Sequence, residues 1–270
     1  MRMKDKQAAA KEKVPGTAAF SKFVKVLQTI ADAPGDLGMA DLCRTVGLPR
    51  ATVYRIVDAL RAEGFVHEVE PARKLVLGAR LINMASRSWA SFDLRTHARA
   101  ELEKLRDLTG ETVHLAVPSG TEMVYIDKLQ SPQTVRMTSR IGTRISLFGS
   151  SVGKAYLSAL PRTEREPLLN SIVFKRMTPF TIMTRSALET ELKKTEKRGY
   201  AIDREETELE IRCIGAAILN STGRPIGAIS VSVPKYRYDR RAETHYPRLL
   251  VECTRQIGST IGGAPAESSD

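Results

Sequence analysis

The chain has 270 residues, 42% of them hydrophobic, and carries 42 Lys and Arg against 31 Asp and Glu, a formal net charge of +11. This length accommodates two domains with separate cores, the basic balance favours a polyanionic partner, and no apolar run approaches the ~20 residues of a membrane span. The charged start, MRMKDKQAAAKEK, lacks the apolar stretch of a secretory signal, so a cytoplasmic location is expected. Charge alone does not locate a nucleic-acid site, because residues 1–80 carry 14 Lys and Arg against 9 Asp and Glu and the rest of the chain is basic as well. Cys43, Cys213 and Cys253 are odd in number, far apart and without a CxxC or a histidine pair, which predicts three thiols and neither a disulfide framework nor a zinc site.

Residues 1–17 are polar, contain Pro15-Gly16 and read as a disordered tail. A helix is predicted over 18–33, with Phe20, Phe23, Val24, Leu27 and Ile30 on one face and Pro34-Gly35 at its end. Met39, Leu42, Cys43 and Val46 form a second, short amphipathic helix, followed by Gly47 where a sharp turn needs positive φ. A third helix spans 48–63 with Pro49 in its first turn, and Val53, Ile56, Val57 and Leu60 give one stripe to a core. Its opposite face carries Arg50, Ala51, Thr52, Tyr54 and Arg55, groups that bond phosphates or base edges or touch a thymine methyl. Two apolar-rich runs, 65–69 and 75–77, are separated by Pro71 and flanked by Arg73 and Lys74, which predicts a β-hairpin wing with a basic, phosphate-facing tip. The winged helix-turn-helix domain thus covers 18–78.

A linker helix follows over 79–93, in which Leu81, Ile82, Ala85 and Trp89 need cover from the chain's own domains or from a partner subunit. Leu94, Ala98, Leu102, Leu105 and Leu108 mark a helix stopped by Gly110, and strands are predicted at 112–117, 123–129 and 134–139. A short apolar run at 144–148 leads into GSSVGKA and a helix ending at Pro161; helices at 162–170 and 186–198, strands at 200–204, 213–220 and 225–234, and a closing helix at 240–261 complete the domain. Strands in close succession with helices at the ends predict an α+β domain around a mostly antiparallel sheet over 94–263, with a tail from 264.

Three stretches can carry chemistry. Residues 149–155, GSSVGKA, open a helix whose first N–H groups suit a carboxylate or phosphate, while the small residues allow close approach. They do not form a nucleotide-binding GxxxxGK[ST] loop, and Ser150 and Ser151 also suit plain N-capping. In residues 199–218, Asp203, Glu205, Glu206, Glu208 and Glu210 crowd together without a histidine or an EF-hand spacing, which favours a solvated acidic loop over a metal. Asp203 and Cys213 sit at strand ends where they point inward. Residues 228–233, AISVSV, put Ser230 and Ser232 on one face and Ile229, Val231 and Val233 on the other. The serine face belongs either to a polar pocket or to solvent.

GLPRATVYRIVDALRAEGFV, the wing and LGARLINMA resemble the N-terminal half of the isocitrate lyase regulator (IclR) family of bacterial transcription factors, and GKA, GYAIDREE, RCI and SVS resemble, in order and spacing, its C-terminal domain. The resemblance covers about residues 18–262. It implies a GAF- or profilin-like effector-binding domain without metal or cofactor, and a homodimer or dimer of dimers on double-stranded operator DNA with an inverted repeat. Carried over residue by residue, the effector cavity is lined by Met137, Ile145, Ser151, Val152, Asp203, Cys213, Ser230 and Ser232. The amides of Ser151 and Val152 then hold an acid group, and Asp203 and the serines bond hydroxyl or keto oxygens, which suits a small hydroxy or keto acid. Two departures stand out: Leu209-Glu210 replaces a Pro-Gly pair common before RCI, and Ser151 stands where several relatives have Gly or Ala. Two rivals remain. One is an enzyme with Cys213 as nucleophile, which needs a base, usually histidine, within reach, although His67, His97, His114 and His245 all lie far from it in sequence; the other is a non-specific architectural DNA binder.

Overall fold

The computed structural model describes residues 17–33, 37–81, 83–84, 94–134 and 137–261, and the chain falls into two units, residues 1–92 and 93–270, each built on its own core. The tails, Pro34-Gly35 and, in the linker helix, Ile82, Ala85 and Trp89 lie outside the described residues.

In the N-terminal unit, α1 (Ala18–Asp32), α2 (Met39–Val46) and α3 (Arg50–Ala62) precede a hairpin of β1 (Val66–Val69) and β2 (Lys74–Leu77). The α3 stripe of Val53, Ile56, Val57 and Leu60 is buried against Leu42, Cys43 and Val46 of α2 and Val26 and Ile30 of α1. The inward face of α1 is rotated from the predicted one. Phe23, Val26, Leu27 and Ile30 keep the helical spacing and pack inward, which turns Phe20 (70% exposed) and Val24 outward. Pro49 lies just outside α3 as its N-cap residue rather than in the first turn, and Gly47 takes the positive φ that the α2–α3 turn requires. The wing pairs Val66 with Leu77 and Val69 with Lys74. It is fixed to the end of α3 by a backbone approach that only glycine permits, since a Cβ on Gly78 would lie 2.1 Å from the Gly64 carbonyl oxygen.

The C-terminal unit runs α4 (Leu94–Thr109), β3 (Thr112–Ser119), β4 (Glu122–Leu129), β5 (Arg144–Ser146), α5 (Ser151–Ala159), α6 (Arg162–Ser171), α7 (Arg185–Arg198), β6 (Ala201–Arg204), β7 (Ile211–Leu219), β8 (Pro225–Pro234), α8 (Arg240–Thr244) and α9 (Tyr246–Thr260). Among the described residues, six strands form one antiparallel sheet in the order β5-β4-β3-β8-β7-β6. The two-residue period of the strands sorts its faces. Val113, Leu115, Ile214, Ala216, Ile218, Ile229, Val231 and Val233 pack under α4 and α9, with Leu102, Leu105, Leu250 and Ile257. The alternate residues turn toward α5; Ala116, Met123 and Ala228 join Val152, Leu157, Leu188 and Leu192 in a second apolar cluster.

Three expected features differ. Residues 137–139 are not strand: Lys128 Nζ donates to the carbonyls of Met137 (2.6 Å) and Ser139 (2.8 Å), and the free edge of β4 pairs with β5 instead. The closing helix is split into α8 and α9 around His245, because Pro247 has no N–H to continue the ladder. Leu108 is 46% exposed, and Thr109 takes the inward place with its hydroxyl bonded to the Leu105 carbonyl.

Gly215 on β7 brings the sheet against the start of α5: a Cβ there would lie 2.6 Å from the backbone carbonyl of Ser151. Gly215→Ala is expected to destabilise the C-terminal unit by about 1–3 kcal/mol through overpacking. Gly223→Ala, at φ +76 but in open space, is expected to cost about 1 kcal/mol from backbone strain alone. Calorimetric melting of both variants checks this order; equal losses would refute the tight approach.

Candidate functional site

Two sites emerge, one in each unit. In the N-terminal unit, burying the α3 stripe leaves Arg50, Ala51, Tyr54 and Arg55 exposed and Thr52 half-buried on the opposite face. The first turn of α3 contains no acidic residue, so its positive dipole end and Arg50 present one uniformly positive surface. At the wing, Lys74 is half-buried and Arg73 is exposed, and Arg73 Nε donates to Glu68 Oε1 at 2.8 Å.

The second site is a cavity of about 60 Å³ in the C-terminal unit, lined by His114, Tyr125, Met137, Ser139, Ser150, Ser151, Asp203, Thr207, Glu208, Ile211, Cys213 and Ser232. It lies on the α5-facing side of the sheet, where His114, Cys213 and Ser232 fall on neighbouring strands: His114 of β3 pairs with Ser230 of β8, and Cys213 of β7 with Ser232 of β8. Of the residues expected to line it, Met137, Ser151, Asp203, Cys213 and Ser232 are brought together. Ile145 and Val152 instead turn into the second apolar cluster. Ser230 is buried beside Gly215, and its hydroxyl has no hydrogen-bond partner. Sequence reasoning missed His114, Tyr125, Ser139, Thr207, Glu208 and Ile211 as wall residues. The parity of TVHLAV, with Val113 and Leu115 on the apolar face, was the available signal for His114.

The glycines of GSSVGKA serve packing rather than ligand approach. A Cβ on Gly153 would lie 2.5 Å from Leu147 Cα and the Ser146 carbonyl oxygen, and one on Gly149 would lie 2.7 Å from the Met177 methyl. Ser150 is the N-cap of α5, accepting from the Gly153 N–H at 3.1 Å. Ser151 and Val152 occupy the first turn, where amides have no partner in the helix ladder.

The acidic stretch is solvated only in part: Glu208 and Glu210 are exposed, whereas Asp203, Glu205 and Glu206 are buried. Glu205 and Glu206 are 4% and 5% exposed. Glu206 Oε2 accepts from the fully buried Lys154 ammonium at 2.5 Å, which also donates to the Ile202 carbonyl at 2.6 Å. Glu205 pairs with Lys235 at 3.1 Å and lies 3.8 Å from Arg212. Asp203 Oδ1 accepts the Glu206 N–H at 2.7 Å and that of Thr207 at 3.4 Å. Burial raises the Asp203 carboxyl above the usual range, against the lowering effects of Lys154 and these N–H groups; burial likewise raises Glu206, against Lys154.

His114 stacks on Tyr125 at 4.3 Å, and its ring nitrogens lie 2.7 Å from Ser139 Oγ and 3.3 Å from Ser232 Oγ. Cys213 Sγ is 3.2 Å from the same Ser232 hydroxyl. A cysteine and a histidine thus meet across a serine, but their chemistry opposes nucleophilic catalysis. Burial and the nearby Asp203 carboxylate push the thiol up, while burial and Lys128 push the imidazole down to about 3. Both groups are neutral at pH 7, the reverse of an activated thiolate beside imidazolium.

Comparison with known proteins places both halves together. Residues 20–70 match the IclR helix-turn-helix domain, and residues 87–259 match the bacterial transcriptional regulator IclR C-terminal domain. The chain is 30% identical over 241 residues to the HTH-type transcriptional regulator KdgR of Escherichia coli K12, covering 89% of this chain and 91% of that protein. It superimposes on Thermotoga maritima IclR with a TM-score of 0.75 at 32% identity, covering 90% of this chain and 98% of that one. It superimposes on an IclR homolog from Microbacterium hydrocarbonoxydans, crystallised with 4-hydroxybenzoate, with a TM-score of 0.78 at 25% identity, covering 92% and 100%.

Lys154→Met leaves the Asp203 and Glu206 carboxyls buried without their cation, with an expected loss of about 3–5 kcal/mol near pH 8. Both carboxyls titrate higher in the folded chain than in the unfolded one, so the native state binds more protons and its stability falls as pH rises through that window. Without Lys154 the window widens upward. Urea melts at a series of pH values are therefore expected to show a deficit that shrinks toward pH ~5; a pH-independent deficit would contradict the electrostatic account.

Proposed function

The chain belongs to the IclR family of bacterial transcriptional regulators, and on that premise we propose which residues read its operator and which class of molecule controls it. It is a DNA-binding regulator whose C-terminal domain binds a small-molecule effector that controls DNA binding. In our reading the winged domain spans 18–78, the linker helix 79–93 and the effector domain 94–263. Arg50, Ala51, Thr52, Tyr54 and Arg55 enter the major groove, with arginines on guanine edges or phosphates and Ala51 or the Thr52 methyl on thymine. Arg73 and Lys74 of the wing contact phosphates. A homodimer or dimer of dimers reads an inverted repeat, because two recognition helices must meet successive turns of one groove face. The protein acts in the cytoplasm, where that DNA is; among the described residues no helix is long and apolar enough to cross a membrane.

The observation that carries the effector reading is the convergence of a helix start, Asp203 and serine hydroxyls on one cavity of about 60 Å³. The amides of Ser151 and Val152 suit a carboxylate. Asp203 Oδ1 is occupied by backbone N–H groups, which leaves Oδ2 to accept a hydroxyl, and Ser151 and Ser232 supply donors. Ser230 pairs in register with His114 of this wall, and the side chains of Ile145 and Val152 belong to the apolar cluster. A cavity of this size holds on the order of four to six water-sized groups, which fits a hydroxy or keto acid of two or three carbons. The 4-hydroxybenzoate carried by the Microbacterium homolog is larger and needs the cavity to widen. Control follows as a population shift: the effector favours the state of the protein that it binds more tightly, and operator affinity changes by at most the ratio of its affinities for the two states.

Two measurements test these readings. Duplexes selected by the protein from a random pool are expected to be bound in preference to unselected DNA, and Arg50→Ala/Arg55→Ala is expected to abolish the preference and flatten the plot of log K against log salt by about two. In thermal melts, pyruvate, glyoxylate or lactate at a hundredfold excess over Kd is expected to stabilise the protein by about 2.7 kcal/mol, with the effect lost in Asp203→Ala. Stabilisation by apolar aromatics alone would reject the acid reading.

A further inference from the structure

The wing carries a carboxylate where strand alternation asks for an apolar side chain. In β1, Val66 and Glu68 share the core-facing side while His67 and Val69 are exposed, and Glu68 pairs in register with the buried Leu75. The Glu68 side chain is only 14% exposed, and its two oxygens are divided between two arginines: Oε1 takes Arg73 Nε at 2.8 Å, and Oε2 lies 3.1 Å from Arg61 Nη1. Arg61 belongs to the last turn of α3 and Arg73 to the wing tip. One acid therefore ties the recognition helix to the wing tip.

Stability alone gives a weak account of this arrangement. Both arginines are largely in water, 45% and 75% exposed, where such pairs contribute little to stability. A carboxylate next to a phosphate-facing surface also opposes binding to any DNA. The gain lies in direction. Arg73 sits at φ +49, outside the ordinary backbone range for a side-chain-bearing residue, and Glu68 fixes the guanidinium that leaves this turn. We propose that Glu68 is a positioning residue for DNA recognition: it presents Arg73 and Arg61 as one preset pair, so that the wing engages phosphates only when α3 is seated on its operator. Binding to operator gains from the preset pair, whereas binding to arbitrary DNA is held down by the charge that Glu68 cancels. This inference rests on the assignment of Arg73 to the operator backbone.

Glu68→Gln keeps the shape and removes the charge. Binding of the full chain to a duplex selected from a random pool, and to an unselected duplex, is measured across a salt series, with melting temperature as a control on folding. The expected result is a split: affinity for unselected DNA rises and its salt slope steepens by about one, while operator affinity falls, so that their ratio drops by about tenfold. In an Arg73→Ala background the same substitution is expected to leave the ratio unchanged. Equal weakening on both duplexes with a lowered melting temperature would reduce Glu68 to a structural plug, and equal strengthening would reduce it to a charge brake; either result overturns the proposal. Arg73→Ala alone separates the two levels. If it leaves operator binding intact, the wing assignment itself is wrong. If it weakens operator binding while Glu68→Gln preserves the ratio, only the positioning role fails.

Discussion

A lysine ammonium with no exposure to water has to be neutralised where it lies, and in the C-terminal domain that requirement organises the site. Lys154 is carried by the second turn of α5, whose first turn is held against the sheet by Gly215 and against residues 146–147 by Gly153. Its side chain reaches the Ile202 carbonyl and Glu206, so the end of β6 and the acidic loop have to come to it. Asp203 lies in that segment, and its Oδ1 is fixed by the amides of the turn that Glu206 makes. The cavity is thus bounded on two sides by one ion pair: α5 supplies the helix start and the loop supplies the carboxylate.

The loop is held from other directions as well. Thr178 and Thr181 donate to the carbonyls of Glu205 (2.6 Å) and Glu206 (2.8 Å), and Lys235 at the end of β8 binds Glu205 and Glu210. Glu205 and Glu210 adopt φ of +66 and +62, a region that side-chain-bearing residues rarely occupy. Glu210 occupies a place that suits glycine, and the Lys235 N–H to its carbonyl at 2.7 Å, with the Lys235 ion pair, holds it in that conformation.

Local periodicity made much of this legible, and long-range pairing hid the rest. The α3 stripe and its exposed basic face follow from helical spacing alone, as the two faces of β8 follow from alternation. The position of His114 depends on β3 pairing with β8, far along the chain, so only its parity was visible. The buried part of the acidic loop read as solvated because two of its counter-charges, Lys154 and Lys235, are distant in sequence and meet it only in the fold. Val152 shows a different limit. Successive helical residues point about 100° apart, so a neighbour of the cavity-facing Ser151 is directed by its apolar character into the core.

These constraints also set the scale of what an effector has to do. A ligand moves a two-state equilibrium only by the difference in its affinity for the two states, and allosteric couplings amount to roughly 1–3 kcal/mol. Backbone held in rare φ regions costs about 1–3 kcal/mol per residue. The cavity wall includes Asp203, Thr207 and Glu208, in the same short loop as Glu205 and Glu210, so its strain and ion pairs are of the same order as the free energy that regulation requires. A small molecule therefore need not unfold or rebuild the domain. Contacts that favour one setting of such a loop over another by a few kcal/mol suffice, and here residues 178–181 and Lys235 are bonded to it as well.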